Sequence, residues 1–361
     1  MPMFQTSVRS GLSIAAVAAT VLLASCATPE PEPVAPPPPP PPAVTLNEGV
    51  AEAASIYVTF IREVGSIEAG FPNAESIQAA IRRGAAYEPA QLSRGMIAYG
   101  SILALQSPEF VAGVRTFAVD PDQRRRMVER IIANPAYAAT LPGADKAAGL
   151  IVEVIGKDSA ALMTIANAVE EDAYTIQGRS DPRRRWASTH ITNREDRLEG
   201  AKSLSAVQML PSAEDAARLF AAANSGTGLS LTAAEAGPPY TPAVVNSLAI
   251  AALAALGAGG DDARANTEAL VVESNSEFCL NMSKLMLFQC LAASRPSYED
   301  IFCVGRHIMR DLATCTASNV TPVPRITPVP DTAVAGAGGI SSPVAAGAAA
   351  ASISALQSAS R

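Results

Sequence analysis

The chain has 361 residues, 34 acidic against 27 basic, for a net charge of −7. Acids and bases are intermixed, so no basic field of the size that holds nucleic acid is present and nucleic acid is not expected as a partner. Aromatics make up 5% of residues, alanine is abundant, and few segments are rich in β-branched residues, a balance that points to an all-α fold.

A charged start carrying Arg9 is followed by an apolar run from Gly11 to Leu23 and then by Ala24-Ser25-Cys26. This is the three-part plan of a secretory signal, here residues 1–25, removed in the mature protein. The apolar run is shorter than the ~20 residues a membrane-spanning helix needs. Leu23-Ala24-Ser25-Cys26 resembles the box that ends a bacterial lipoprotein signal, and the resemblance stops there. It implies that Cys26 carries a diacylglyceryl thioether and an acylated amine, palmitate-like chains that hold a protein to a membrane at ~0.8 kcal/mol per buried CH₂. Ala27, rather than aspartate, follows the cysteine. In that family this implies sorting to the outer membrane, on the periplasmic face, with exposure at the cell surface left open. Plain cleavage without lipid on Cys26 is the alternative.

Residues 26–44 form a proline-rich linker with an unbroken run from Pro36 to Pro42. Proline fixes φ and lacks an amide hydrogen, so the stretch reads as polyproline II. From Pro29 to Pro42 it reaches about 40 Å at ~3.1 Å per residue. A spacer between lipid and domain is the simpler reading, and a docking segment for an aromatic groove is the other.

Residues 45–316 read as one all-helical domain. Thr45-Leu46-Asn47-Glu48 has the form of a capping box, and Val50, Ala54, Tyr57, Ile61 and Val64 then mark one apolar face up to Gly65. Asn73 starts a second helix and Pro89 a third. Ser107-Pro108, Asp120-Pro121 and Asn134-Pro135 each put a capping side chain before proline at the first helical position. The apolar positions after these prolines do not match, so the spacing is not an internal repeat. Ala144 to Tyr174 is the longest uninterrupted helical pattern, broken from Gly178 to Arg185. Ser212 opens another helix. The glycine- and proline-rich stretch 225–241 is a candidate internal boundary or flap. Ala243 to Leu256 is nearly all apolar but short for a span, so a buried core helix is expected, stopped at Gly257-Ala258-Gly259-Gly260. A final pair of helices is expected over Asp262 to Ala293 and Ser297 to Cys315. The tail, residues 317–361, repeats Thr-Pro-Val-Pro and then runs to alanine, glycine and serine, a composition read as disordered.

Cys279, Cys290, Cys303 and Cys315 all fall in that last pair. In an antiparallel hairpin, facing residues share a midpoint. The pairs Cys279/Cys315 and Cys290/Cys303 share one near residue 297, on the turn Arg295-Pro296-Ser297, with Ser297 and Asp300 as the next capping box. Four cysteines allow three pairings, and antiparallel geometry favours two nested disulfides, Cys279–Cys315 and Cys290–Cys303. Export supplies the oxidising compartment. A metal site on Cys303 and His307, one turn apart, is the rival, but close Cys-x-x-Cys pairs are missing. A Cys303/His307 catalytic pair is a further rival.

No H-E-x-x-H, G-x-S-x-G or S-x-x-K occurs. Glu273-Ser274 is similar to the start of the lytic transglycosylase motif, but the Gly-Leu-Met-Gln that should follow is absent. Glu170-Glu171-Asp172 reads as a solvated helix face. Arg183-Arg184-Arg185-Trp186 joins three arginines to the one tryptophan, a composition common at binding hot spots. The bland reading pairs those arginines with Glu170, Glu171 and Asp172 and buries Trp186. No catalytic residue, cofactor or metal is assigned. The leading expectation is a lipid-anchored accessory or scaffold protein with protein partners in the cell envelope. An envelope hydrolase acting on peptidoglycan and a helical carrier of a small apolar ligand are the alternatives.

Overall fold

A computed structural model describes residues 40–178, 181–226 and 228–321. The signal segment, Cys26, the linker up to residue 39 and the tail from residue 322 lie outside the described residues. The fold is all-α; two residues, His190 and Pro296, form an isolated antiparallel bridge.

α1 (Glu48–Gly65) begins two residues later than the Thr45 box suggests. Its cap is Asn47, whose Oδ1 accepts from Val50 N at 3.1 Å. Asn47 Nδ2 also donates to Gly259 O and to Thr267 Oγ1, tying the start of the domain to the stop after α9. α2 (Ala74–Ala85) has a reciprocal capping box between Asn73 and Ser76. α3 (Pro89–Leu105), α4 (Pro108–Arg115) and α5 (Pro121–Ala133) each place proline in the first turn and are capped by Glu88, Ser107 and Asp120. The third of the proline starts gives only a 3₁₀ turn, Pro135–Thr140, and the Asn134 side chain makes no cap bond.

α6 (Ala144–Gln177) is the long helix, followed by a 3₁₀ segment, Pro182–Ser188. α7 (Arg194–Ser205) was not legible in the sequence. Its charged residues leave only Leu198, Ala201 and Leu204 as an apolar pattern, too sparse to set a period. α8 (Ala213–Ser225) is capped by Ser212, which accepts from Asp215 N at 3.1 Å. α9 (Pro242–Ala255) is the buried core helix, and Gly257, in the left-handed region at φ +71°, closes it.

The helix expected from Asp262 is broken. Asp261–Ala263 is a 3₁₀ turn, α10 (Ala265–Glu268) is a single turn, and α11 (Ser274–Ala293) starts afresh. Glu273 makes that new start. Its carboxylate accepts from Asn275 N and Ser276 N at 3.2 and 2.6 Å, which is the role of a cap. The last arm runs as α12 (Ser297–Cys303), a π-helical stretch Val304–Arg310, and α13 (Asp311–Val320). Pro296, not Ser297, holds the cap position of α12, and the Asp300 side chain turns inward instead of back along the helix.

α3 and α9 lie at the centre. α1 and α8 pack on α3 and on each other, and α6 and α11 also pack on α3. One apolar cluster runs through all of these helices, with members on both sides of the 225–241 segment. α1 and α3 approach closely at Gly95, where an added Cβ would sit 2.5 Å from Ala53 O and 2.8 Å from Tyr57 Cβ. Gly95→Ala therefore overpacks this crossing, a class of change that costs ~1–3 kcal/mol. At Gly156 in α6 a Cβ meets nothing within 4 Å, so Gly156→Ala should stabilise by ~0.5–1 kcal/mol. Urea melts of the two variants should move in opposite directions. A Gly95→Ala protein as stable as the Gly156→Ala one would contradict the close crossing.

Candidate functional site

The hairpin of α11 with α12 and α13 carries both disulfides, Cys279–Cys315 and Cys290–Cys303, with Cα atoms 5.7 and 5.8 Å apart. The pairing is the nested one. It removes Cys303 from any catalytic or metal role, and His307 instead pairs its Nδ1 with Asp311 Oδ2 at 2.9 Å.

Beside the hairpin turn, Asp300 is almost fully buried and meets Arg197 of α7, whose Nη1 lies 2.7 and 2.6 Å from the two carboxylate oxygens. Ser294 Oγ donates to Asp300 Oδ1 at 2.6 Å and Gln78 Nε2 to Oδ2 at 3.4 Å. Burial pushes the Asp300 carboxyl up, and Ser294 and the Arg197 charge oppose it. Arg197 also donates through Nη2 to Leu291 O. One guanidinium thus joins α7, α11 and α12.

Above this pair is a polar cleft of about 510 Å³ between α2, the 189–193 segment and the hairpin turn. Glu75, Arg82, His190 and Asn193 line it, and Asp300 reaches its floor. The segment is held there by Ile191 N donating to Arg295 O at 2.8 Å and Ser297 N to Thr189 O at 3.3 Å. His190 is exposed in the cleft, whose lining includes Glu75 and Asp300, and both Asp300 oxygens already accept hydrogen bonds. That arrangement suits recognition of a polar group better than proton transfer.

The Arg183–Trp186 cluster is split by the fold. Arg184 pairs with Asp172 of α6 and, through Nε at 2.8 Å, with Asp181. Asp172 also accepts from Gly70 N at 2.8 Å. Trp186 is half-buried against the apolar cluster. Arg183 and Arg185 remain exposed. The acidic run upstream is no solvated face: Asp172 and Glu170 are both buried, and Glu170 accepts from Arg310 Nε at 2.6 Å.

A second cleft, about 670 Å³, lies under the strap between α8 and α9. Leu150, Leu229 and Leu231 give it an apolar wall, and Lys146 pairs with Glu235 at its rim. The strap is pinned to the start of α6. Ala236 N donates to Asp145 O at 3.0 Å, and the backbone at Ala234–Glu235 passes so near Gly149 that a Cβ there would lie 2.4 Å away. No sequence signal foretold this contact, because the residues involved are far apart and individually ordinary.

Lys284 is the buried base that the sequence reading passed over. It donates to Tyr87 O and Ser205 O, and burial lowers its pKa to about 8. A lone lysine in a helix otherwise free of basic side chains was the available signal. Among the described residues no group of three or more histidine, cysteine, aspartate or glutamate side chains could hold a metal ion. No protein-family model, curated protein or solved structure matches this chain.

Asp158 of α6 supplies a pH test. Burial raises its pKa from 3.8 to about 6. Between about pH 4 and 6 the folded chain keeps a proton that the unfolded chain has released, so this group's contribution falls as pH rises through that window and stays unfavourable above it. Asp158→Asn should stabilise the fold at pH 7.5 by roughly 1–2 kcal/mol, discounted for partial exposure, and by almost nothing at pH 4. Equal effects on urea unfolding at the two pH values would contradict the buried carboxylate.

Proposed function

We propose that this chain is an exported, lipid-anchored, non-catalytic accessory or scaffold protein of a bacterial cell envelope. In this reading Cys26 carries the lipid, residues 26–44 space the helical body, 45–316, from the outer membrane, and 317–361 trail behind it. The periplasmic face is the proposed location, with the cell surface as the other possible side. The observation that carries the reading is the pair of disulfides, which form and persist in oxidising compartments. The resemblance of Leu23-Ala24-Ser25-Cys26 to a lipoprotein signal points the same way. The non-catalytic part rests on how the polar side chains are used: Asp172, Asp215, Glu170, Asp300 and Lys284 each tie helices or loops of the fold together.

Arg183 and Arg185 are proposed as the exposed part of a surface for an acidic envelope partner. A helical carrier is the second reading, favoured by the apolar wall of the cleft beneath the strap and by its size, within the ~300–1,000 Å³ of small-molecule sites.

Fractionation with mass spectrometry tests the location. The expected result is a membrane-fraction protein whose first residue is a lipid-modified Cys26, and Cys26→Ala should release it. In-cell crosslinking of the tagged protein should then retain an envelope partner that Arg183→Ala/Arg185→Ala loses. An unmodified residue 26, or a cytosolic protein with its start retained, would overturn the anchor. Equal recovery of partners with and without the two arginines would remove that surface.

A further inference from the structure

The segment 229–236 crosses the start of α6 without regular secondary structure, yet its residues alternate. In an extended chain every second side chain points to the same side. Leu229, Leu231 and Ala233 line the cleft of about 670 Å³ beneath the segment, while Ser230 and Thr232 between them are exposed. From the facing wall α6 supplies Leu150, which is buried but stands outside the main apolar cluster. Its side chain belongs to the cleft wall and not to the core. The polar part of the lining is unequal. Its side-chain donors are engaged: Lys146 with Glu235, the Gln106 amide with the Ile102 and Ala222 carbonyls at 3.3 Å each, and Ser107 Oγ with Glu109 at 3.3 Å. The Glu235 hydrogen bond, joined by the charges of Asp145 and Glu109, pushes the Lys146 ammonium up. Glu109 accepts only from that Ser107 hydroxyl and has no ion pair among the described residues. The cleft thus offers an apolar wall, a carboxylate with no cation bonded to it, and no disengaged side-chain donor.

We propose that this cleft binds a small organic amine, an ammonium joined to a short aliphatic body, with the ammonium on Glu109 and the body between Leu150 and the Leu229–Leu231 side of the strap. The inference rests on the carrier reading and names the chemical class of its cargo. An apolar wall with a few placed polar groups is the usual make-up of a small-molecule site. The charge of the lining then selects among aliphatic molecules. An amine brings the donors and the positive charge that Glu109 lacks. A carboxylate of the same length finds the same wall but meets Glu109 and Glu235, and like charges set against each other exclude a wrong partner. The strap is already fixed before a ligand arrives. Ala236 N donates to Asp145 O at 3.0 Å, and the strap backbone lies close over Gly149. Little ordering of the site is left to oppose binding.

Isothermal titration of octylamine, octanol and octanoate into the full chain carrying Cys26→Ala, which needs no detergent, tests it. Octylamine should bind best, and octanoate about tenfold or more weakly. Glu109→Gln, at an exposed position, should weaken octylamine about tenfold, leave octanol unchanged and keep the helical circular dichroism of the parent chain. A photo-crosslinking diazirine analogue of octylamine should label the peptides that hold Leu150 and Leu231, and octylamine should compete the label away. Octanoate binding as well as octylamine, or an octylamine affinity that Glu109→Gln leaves unchanged, would overturn the amine assignment while the carrier reading stood. Binding of none of the three probes would overturn both.

Discussion

The rest of the structure depends on the cross-linked hairpin. Its first arm, α11, is bonded to the second arm at two sulfur bridges and is gripped from outside by side chains of other helices. Arg197 reaches from α7 to Asp300 on one arm and to Leu291 O on the other. Tyr87 Oη donates to Leu280 O at 3.1 Å, and Lys284 answers by donating to Tyr87 O. Each bridge closes a loop in the unfolded chain and so raises the free energy of that state, by ~2–4 kcal/mol for typical loops. The hairpin is thereby a fixed surface on which α2, α3, α6 and α7 are laid.

Buried charge is used here as a connector between distant segments. Asp215 accepts from Thr59, Ser212, Arg62 and Arg218, which ties α8 to α1. Glu170 collects Arg310 while Asp172 collects Arg184 and Gly70 N, so the end of α6 is bonded to three parts of the chain. Such pairs contribute little net stability over an apolar packing of the same shape, but breaking one leaves an uncompensated buried charge. Their effect is to specify which helix ends meet. The same use accounts for carboxylates that look catalytic in the sequence: Glu170 and Asp172 are taken up by Arg310 and Arg184. Glu273 is the plainest case, a residue beside a serine in a motif-like setting whose two oxygens cap a helix.

Local chemistry made much of the fold legible. Proline after a capping side chain marked the starts of α4 and α5, while the third such start opened only a 3₁₀ turn; an apolar period marked α6 and a nearly unbroken apolar run α9, because these signals act within a few residues. The paired cysteines were legible for a geometric reason: antiparallel arms share a midpoint, and the turn signal fell on it. What stayed hidden were relations between distant residues. Arg197 and Asp300 lie on separate helices, and nothing near either one announces the other. α7 has too few apolar residues to show a period and is held by Arg194 and Arg197 onto carbonyls of the hairpin turn. The arginine cluster was half legible. The acidic run upstream foretold the pairing of Arg184 with Asp172, whereas its bond to Asp181 and the outward course of Arg183 and Arg185 depend on the 3₁₀ path of Pro182–Ser188.

The hairpin and the proposed compartment both rest on the sulfur pairing, and one measurement reaches it directly. The protein is to be isolated from the envelope fraction with free thiols blocked, digested without reductant, and its linked peptides sequenced by mass spectrometry. Peptides joining Cys279 to Cys315 and Cys290 to Cys303, with no blocked thiol at any of the four, are the predicted result. A Cys279–Cys290 link, or blocked thiols at these positions, would contradict it.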